Sequence, residues 1–300
     1  MDLALHDVRT ADGLTLKLGA CSGSRTGPSI LILHGLYSHM GWYRLLGESL
    51  AERGAAVFLV DRRGAGISEG LAGHMASWRH VADDLLRVTA TIRALRPGQD
   101  VCALGVSLGA ATTLATSLLA PGSFQRHAAL SPGLAPARSV PFLRRVGIAY
   151  GAYARPRAHF DLPFTADQLT DRADVRDALW NDPLRTHTVT SRFLLELFRL
   201  QRFVRRNIVR LDAPLLALLA GDDALVDNEA VVAILGRVQR TPVRIEIFEQ
   251  AQHVLPASVP LPELAGRIWH WFTATEEALD RRVVIQRVPP FAPDPRAGAA

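Results

Sequence analysis

Through the first 130 residues, short apolar runs alternate with longer stretches whose apolar positions recur every three or four residues. "SILILH" (29–34), "AAVFLVD" (55–61), "DVCALG" (100–105) and "RHAALSP" (126–132) read as strands. Continuous apolar runs of that length belong to strands covered on both faces. "LTLKLGA" (14–20) alternates in the manner of an edge strand. "WYRLLGESLAERG" (42–54), closing on Gly54, and "SWRHVADDLLRVTATIRALRPG" (77–98), stopped by Pro97 and Gly98, carry the helical period. This alternation predicts an α/β protein with a mostly parallel central sheet flanked by helices.

The alternation breaks after Pro132. Residues 134–210 contain no buried strand run and read as helical, with "FLLELFRLQRFVRRNIVR" (193–210) as the clearest helix. Strand and helix then resume with "APLLALLAG" (213–221), a helix from Asn228, "VRIEIFEQ" (243–250), and a last helix through "LAGRIWHWFTATEEAL" (264–279). The expected organisation is a sheet domain of residues 1–133 and 211–280, a helical insertion at 134–210, and a tail at 281–300. The tail, ending "VPPFAPDPRAGAA", holds little that could form a core and is expected to be flexible or laid over the surface.

With 48% hydrophobic and 21% charged residues in 300, the composition is that of a globular protein with a substantial core. No apolar run reaches the length of a membrane span, and "MDLALHDVRTADG" has no signal-peptide pattern. Cys21 and Cys102 are too few for a disulfide framework, so a cytoplasmic location is expected. The net charge of +5 comes almost wholly from arginine, since Lys17 is the single lysine. Between 136 and 210 there are 14 arginines against seven acids, so the positive excess belongs to the insertion. Such a field would draw the insertion to an anionic lipid surface or steer an anionic head group, or it is a solvated helix face. Charge is the only argument for a nucleic-acid partner, and none is expected.

One polar residue interrupts the densest apolar region. In "VCALGVSLGAATT" (101–113), Ser107 stands between Gly105 and Gly109, at the corner between a strand and a helix. This is the G-x-S-x-G pattern of a turn that projects a serine from the sheet edge toward a helix N-terminus. A serine hydroxyl is a poor nucleophile without a base, and the base needs an acid to orient it. In the order serine, acid, histidine, the partners should follow late strands. Asp223 follows "LLALLAG", with Asp222 as the alternative acid, and His253 follows "RIEIFEQAQ". Asp227 reads as the cap of the next helix. The backbone N–H groups of Leu108 and of Leu36, in the loop after "LILHG", are candidates for the oxyanion hole. His34 reads as a structural loop residue. No carboxylate or cysteine cluster completes a metal site with His34 and His39. Asp61 and Arg63 read as structural, and Trp42 and Tyr43 as pocket or helix-packing residues.

These motifs together resemble the α/β-hydrolases of the monoacylglycerol lipase and lysophospholipase group. "HGLYSHMGWY" (34–43) is similar to that family's H-G-x-x-x-H-x-x-x-Y segment, "DRRGAGISEG" (61–70) to its D-x-R-G-x-G-x-S turn, and "GVSLGA" to its elbow. "NDPLRT" (181–186), "AGDDALVDN" (220–228) and "AQHVLP" (251–256) follow in the family's order. The acid often stands three residues after the glycine in this family, whereas Asp223 stands two after Gly221. The resemblance implies an α/β-hydrolase fold with residues 134–210 as a cap over the pocket. It also implies a serine hydrolase of lipid-like carboxylic esters working through an acyl-enzyme. No cofactor or metal is expected. Acyl transfer or perhydrolysis on the same scaffold, and a non-catalytic ligand-binding homologue, are the alternatives.

Overall fold

The computed structural model describes residues 3–21, 26–138, 140–161, 164–279 and 282–290. In chain order the first part consists of β1 (Ala4–Arg9), β2 (Thr15–Ala20), β3 (Ser29–Leu33), α1 (Arg44–Glu52), β4 (Ala56–Val60), α2 (Trp78–Leu95), β5 (Val101–Val106), α3 (Leu108–Leu119) and β6 (His127–Leu130). The insertion carries α4 (Phe142–Ala154), β7 (His159–Asp161), α5 (Ala173–Trp180), β8 (Thr188–Thr190) and α6 (Ser191–Asn207). The chain then forms β9 (Leu215–Ala220), α7 (Asn228–Leu235), β10 (Val243–Phe248), α8 (Leu255–Ser258), α9 (Leu261–Thr273) and β11 (Val283–Val288).

Nine strands form one sheet in the order β1-β2-β4-β3-β5-β6-β9-β10-β11. The β1/β2 and β2/β4 pairs are antiparallel, and every other pair is parallel. This is the architecture of the α/β-hydrolases. The continuous apolar runs are explained by burial on both faces. Ile30 and Ile32 of β3 join the core beneath α1 and α9, with Leu46, Leu264 and Trp271. Their neighbours Leu31 and Leu33 face the other way, toward Leu85 and Val88 of α2. Successive side chains of a strand point to opposite faces, so a strand with helices on both sides must be apolar throughout. Each fully buried Leu or Ile contributes roughly 1.5–3 kcal/mol.

The sheet order reverses at β3. The chain leaves β3 to add β4 on one side, then returns through α2 to add β5 on the other. Loops leaving the C-terminal ends of β3 and β5 therefore diverge, and the crevice between them is where ligands of parallel sheets bind. Leu36 and Ser107 lie in those two loops.

Three expectations need correction. β2 is not the sheet edge, because β1 pairs along its outer side; the sparsely apolar "ALHDVR" carries no strand signal of its own. The insertion is not purely helical, since β7 and β8 form a three-residue antiparallel ribbon. Val283–Val288, in the segment expected to be flexible, adds a parallel edge strand to β10. Its side chains are mostly exposed, so backbone pairing rather than burial places it there. The remainder of that tail, 291–300, lies outside the described residues. No helix among the described residues is long and apolar enough to cross a membrane.

Candidate active site

Ser107 occupies the one-residue corner between β5 and α3 with φ 51° and ψ −112°. A non-glycine residue held at positive φ costs about 1–3 kcal/mol and persists only where the surroundings enforce it. Here the Ser107 N–H donates to Leu130 O at 2.9 Å, and Gly133 N–H donates to Ser107 O at 3.0 Å. The flanking glycines serve close approach rather than dihedral freedom. A Cβ on Gly109 would overlap the Leu33 carbonyl oxygen, and one on Gly105 would overlap the backbone of Ala110. The Ser107 side chain makes no cap bond to its own helix, which leaves the hydroxyl to the cavity it borders.

His253 sits in the loop between β10 and α8. Its Nδ1–H donates to Asp223 Oδ2 at 2.8 Å and to Oδ1 at 3.0 Å. The Asp223 carboxylate is fully buried and also accepts the Leu225 N–H at 2.8 Å and the Val226 N–H at 3.0 Å. Asp222 is exposed, and the structure places no side-chain bond between it and the histidine. Asp227 caps α7 by accepting the Ala230 N–H at 3.0 Å. The His253 loop is fastened from β6 as well, where the Ser131 hydroxyl donates to His253 O at 2.9 Å. Ser107, Ser131 and Gln250 are the non-glycine residues with positive φ among those described, and each follows a parallel strand.

The loop after β3 is shaped by buried polar groups. Gly35 N–H donates to Ser38 Oγ at 3.0 Å. Gly35 O accepts from His34 Nδ1 at 2.8 Å and from Arg62 Nη2 at 2.9 Å. His34 Nε2 in turn accepts the Arg62 N–H at 3.1 Å, which fixes one neutral tautomer. Burial, with the neighbouring Arg62 charge, holds His34 well below the usual imidazole range. Burial also brings the Arg62 guanidinium down to about 10. Because a peptide is planar and trans, pinning Gly35 O turns the Leu36 N–H the opposite way. That N–H and the Leu108 N–H, in the first turn of α3, meet no acceptor among the described residues.

Ser107, His253, Leu36 and Leu108 border one cavity of about 130 Å³, to whose wall the insertion contributes Phe164, Leu197 and Gln201. Tyr37, Leu169 and Leu225 complete its apolar wall and were not singled out from the sequence, since isolated apolar residues carry no motif. Trp42 and Tyr43 do reach the cavity. The Trp42 indole N–H and His39 Nε2 both bond Asp182 Oδ2 at 2.8 Å, tying the "NDPLRT" segment to the β3 loop. Asp61 accepts the Met40 N–H at 2.7 Å and the Ile67 N–H at 2.9 Å, and Arg63 pairs with Asp84 at 2.6 Å, both shaping loops. Among the described residues no group of three His, Cys, Asp or Glu could hold a metal ion.

The family model described as serine aminopeptidase, S33 (Hydrolase_4), matches residues 25–257. Monoglyceride lipase of Homo sapiens is 26% identical over 243 residues, 80% of this chain and 79% of its own. Phospholipase YtpA of Bacillus subtilis (strain 168) is 26% identical over 211 residues, 68% of this chain and 78% of its own. Among solved structures, the monoacylglycerol lipase of Paleococcus ferrophilus has a TM-score of 0.77 at 22% identity, covering 86% of this chain and 98% of that one.

Proposed function

The chain belongs to the serine aminopeptidase, S33 (Hydrolase_4) family of α/β-hydrolases, and from that premise we propose that it hydrolyses lipid-like carboxylic esters with Ser107 as nucleophile, His253 as general base and Asp223 as the orienting acid. The observation that carries this reading is the bond from His253 Nδ1 to the buried Asp223 carboxylate, which leaves Nε2 as the basic ring nitrogen of a histidine bordering the same cavity as Ser107. Ser107 loses its proton to His253 Nε2 as Oγ bonds to the ester carbonyl carbon. The carbonyl oxygen becomes an oxyanion held by the Leu36 and Leu108 N–H groups. Breaking the ester C–O bond sends the proton from His253 to the leaving alcohol and leaves an acyl-enzyme. Water, deprotonated by the same histidine, then releases the acid and restores Ser107.

The lipid character of the substrate is supported by the apolar wall around Ser107 and by the human and Bacillus subtilis relatives, a monoglyceride lipase and a phospholipase. Aminopeptidase activity is disfavoured on physical grounds. A free amino terminus needs a carboxylate to receive it; among the described residues no acid borders the cavity at Ser107, and Asp161 on the adjoining chamber is outnumbered there by Arg138 and Arg144. Residues 134–210 act as the cap. On α4, Phe142, Leu143, Val146, Tyr150 and Tyr153 are all exposed, and Leu143 is 81% so. With Arg144 and Arg145 beside them, this face suits transient contact with an anionic lipid surface.

The test is a series of p-nitrophenyl esters of increasing chain length together with monoacylglycerol. Activity should rise with chain length and vanish in Ser107→Ala. Asp223→Asn should lower kcat by about 10⁴-fold, as expected when an imidazole loses its tautomer lock. Asp222→Asn should change it by less than about tenfold. The reverse ordering of the two aspartates would reassign the acid.

A further inference from the structure

Beneath the cap, the cavity at Ser107 adjoins a larger one of about 730 Å³, and the two share Leu36, Pro136, Phe164, Leu197, Gln201 and Leu225 in their walls. A chamber of that size accommodates a drug-sized or lipid-sized group. Its wall is mostly apolar, with Val140, Ile148, Phe160 and Phe198 from the cap. Among the described residues three charged ones border it: Arg138, Arg144 and Asp161. Neither guanidinium meets a carboxylate or any other partner among the described residues. Elsewhere in the cap some arginines find acids. Arg172 pairs with Asp174, and Arg192 and Arg199 both pair with Glu196. Other arginines of the cap, Arg155 and Arg202 among them, also lack a carboxylate partner among the described residues, so what marks Arg138 and Arg144 is their place on the chamber wall, where they outnumber Asp161 by two to one.

An apolar chamber alone would select for acyl length and nothing else. Two guanidinium groups on its wall add a preference of another kind, because each presents a planar fork of donors matched to carboxylate or phosphate oxygens. Arg138 and Arg144 are both exposed, at the solvent side of the chamber, so the attraction is screened by water and salt. The excess arginine of the cap raises the same potential at longer range.

We propose that the preferred substrates are amphiphilic esters carrying an anionic group, carboxylate or phosphate, separated from the scissile bond by an apolar stretch, and that Arg138 and Arg144 receive that group. The proposal rests on the serine ester hydrolase reading and adds the substrate's charge to it. Asp161 opposes the anion and limits the preference.

Two matched pairs of soluble substrates, assayed below their micelle concentrations at low salt, test it. One pair is a methyl monoester of a dicarboxylic acid against the neutral methyl ester of equal chain length, with the anion on the acyl side. The other is a lysophosphatidate against the monoacylglycerol with the same acyl chain, with the anion on the alcohol side. In at least one pair, kcat/KM for the anionic member should exceed that for the neutral member by about tenfold, the size of one charge-assisted hydrogen bond. The advantage should reside in KM and shrink as salt is added. In Arg138→Ala/Arg144→Ala the ratio should fall toward one, in Arg144→Glu it should invert, and in Asp161→Asn it should rise. Wild-type ratios at or below one in both pairs, with Ser107-dependent hydrolysis of the neutral esters intact, would overturn the anion preference alone. Failure of all four substrates in wild type would instead overturn the ester hydrolase reading on which it rests.

Discussion

At the scale of single residues, the proposed site divides into groups assigned to the chemistry and groups that aim them. Ser107, His253 and the pair Asp222/Asp223 stand out in the chain because they follow strands in the order serine, acid, histidine, whereas the preference for Asp223 comes from its bond to His253 Nδ1. Arg62 is not legible, since it is one arginine in "DRRG" with nothing local to mark it as buried. Its role follows from the Gly35 carbonyl, which it holds together with His34 and so fixes the direction of the Leu36 N–H. On the proposed mechanism Arg62 is a positioning residue. Removing an oxyanion donor outright costs about 10²–10³ in kcat, and misaiming one should cost about ten- to a hundredfold. Arg62→Ala should therefore lower kcat with little change in KM. It should also weaken a boronic-acid inhibitor, which mimics the tetrahedral intermediate, by a similar factor. A rise in KM with kcat unchanged would mean that Arg62 shapes the pocket and not the oxyanion site.

At the scale of elements, strands buried on both faces announce themselves, whereas β1, β7, β8 and β11 do not. Those four are short or exposed, and their pairing partners rather than their own residues make them strands. The cap's attachment was also only half visible. "NDPLRT" stands out as a motif, but that it ties the insertion to the β3 loop emerges from Asp182 accepting His39 and Trp42 together. Partial burial works against the Asp182 charge, yet bonds from His39, the Leu184 N–H and Trp42 hold its carboxyl below the usual range. Asp182→Ala should loosen the cap locally. Limited proteolysis within 134–190 should accelerate by about a hundredfold, since a local opening equilibrium loses two charge-assisted hydrogen bonds. Unchanged cleavage would show that the ribbon and α6 hold the cap without this latch.

At the scale of the whole molecule, the sheet order brings loops from β3, β5, β9 and β10 to one edge, and the sequence foretold this grouping through the alternation of runs alone. The same buried sheet makes the fold sensitive to acid. His127 is fully buried, with Nε2 bonded to the Ser117 hydroxyl at 2.8 Å and Nδ1 unpartnered, and burial lowers its pKa to about 3. Between the unfolded value near 6.5 and about 3, the unfolded chain binds a proton that the native chain refuses, so this group destabilises the fold as pH falls. His34 acts in the same direction. In urea titrations between pH 6 and 4, wild type should lose about 1.4 kcal/mol per pH unit more than His127→Gln, and equal slopes would contradict a neutral buried His127. The central claim is that distant strand ends assemble one activated serine, and covalent labelling tests it most directly. A fluorophosphonate should add one equivalent to each wild-type chain, on the peptide containing Ser107. Labelling should slow greatly in His253→Gln and disappear in Ser107→Ala. Stoichiometric labelling that persists in Ser107→Ala, or that maps to another residue, would contradict the account.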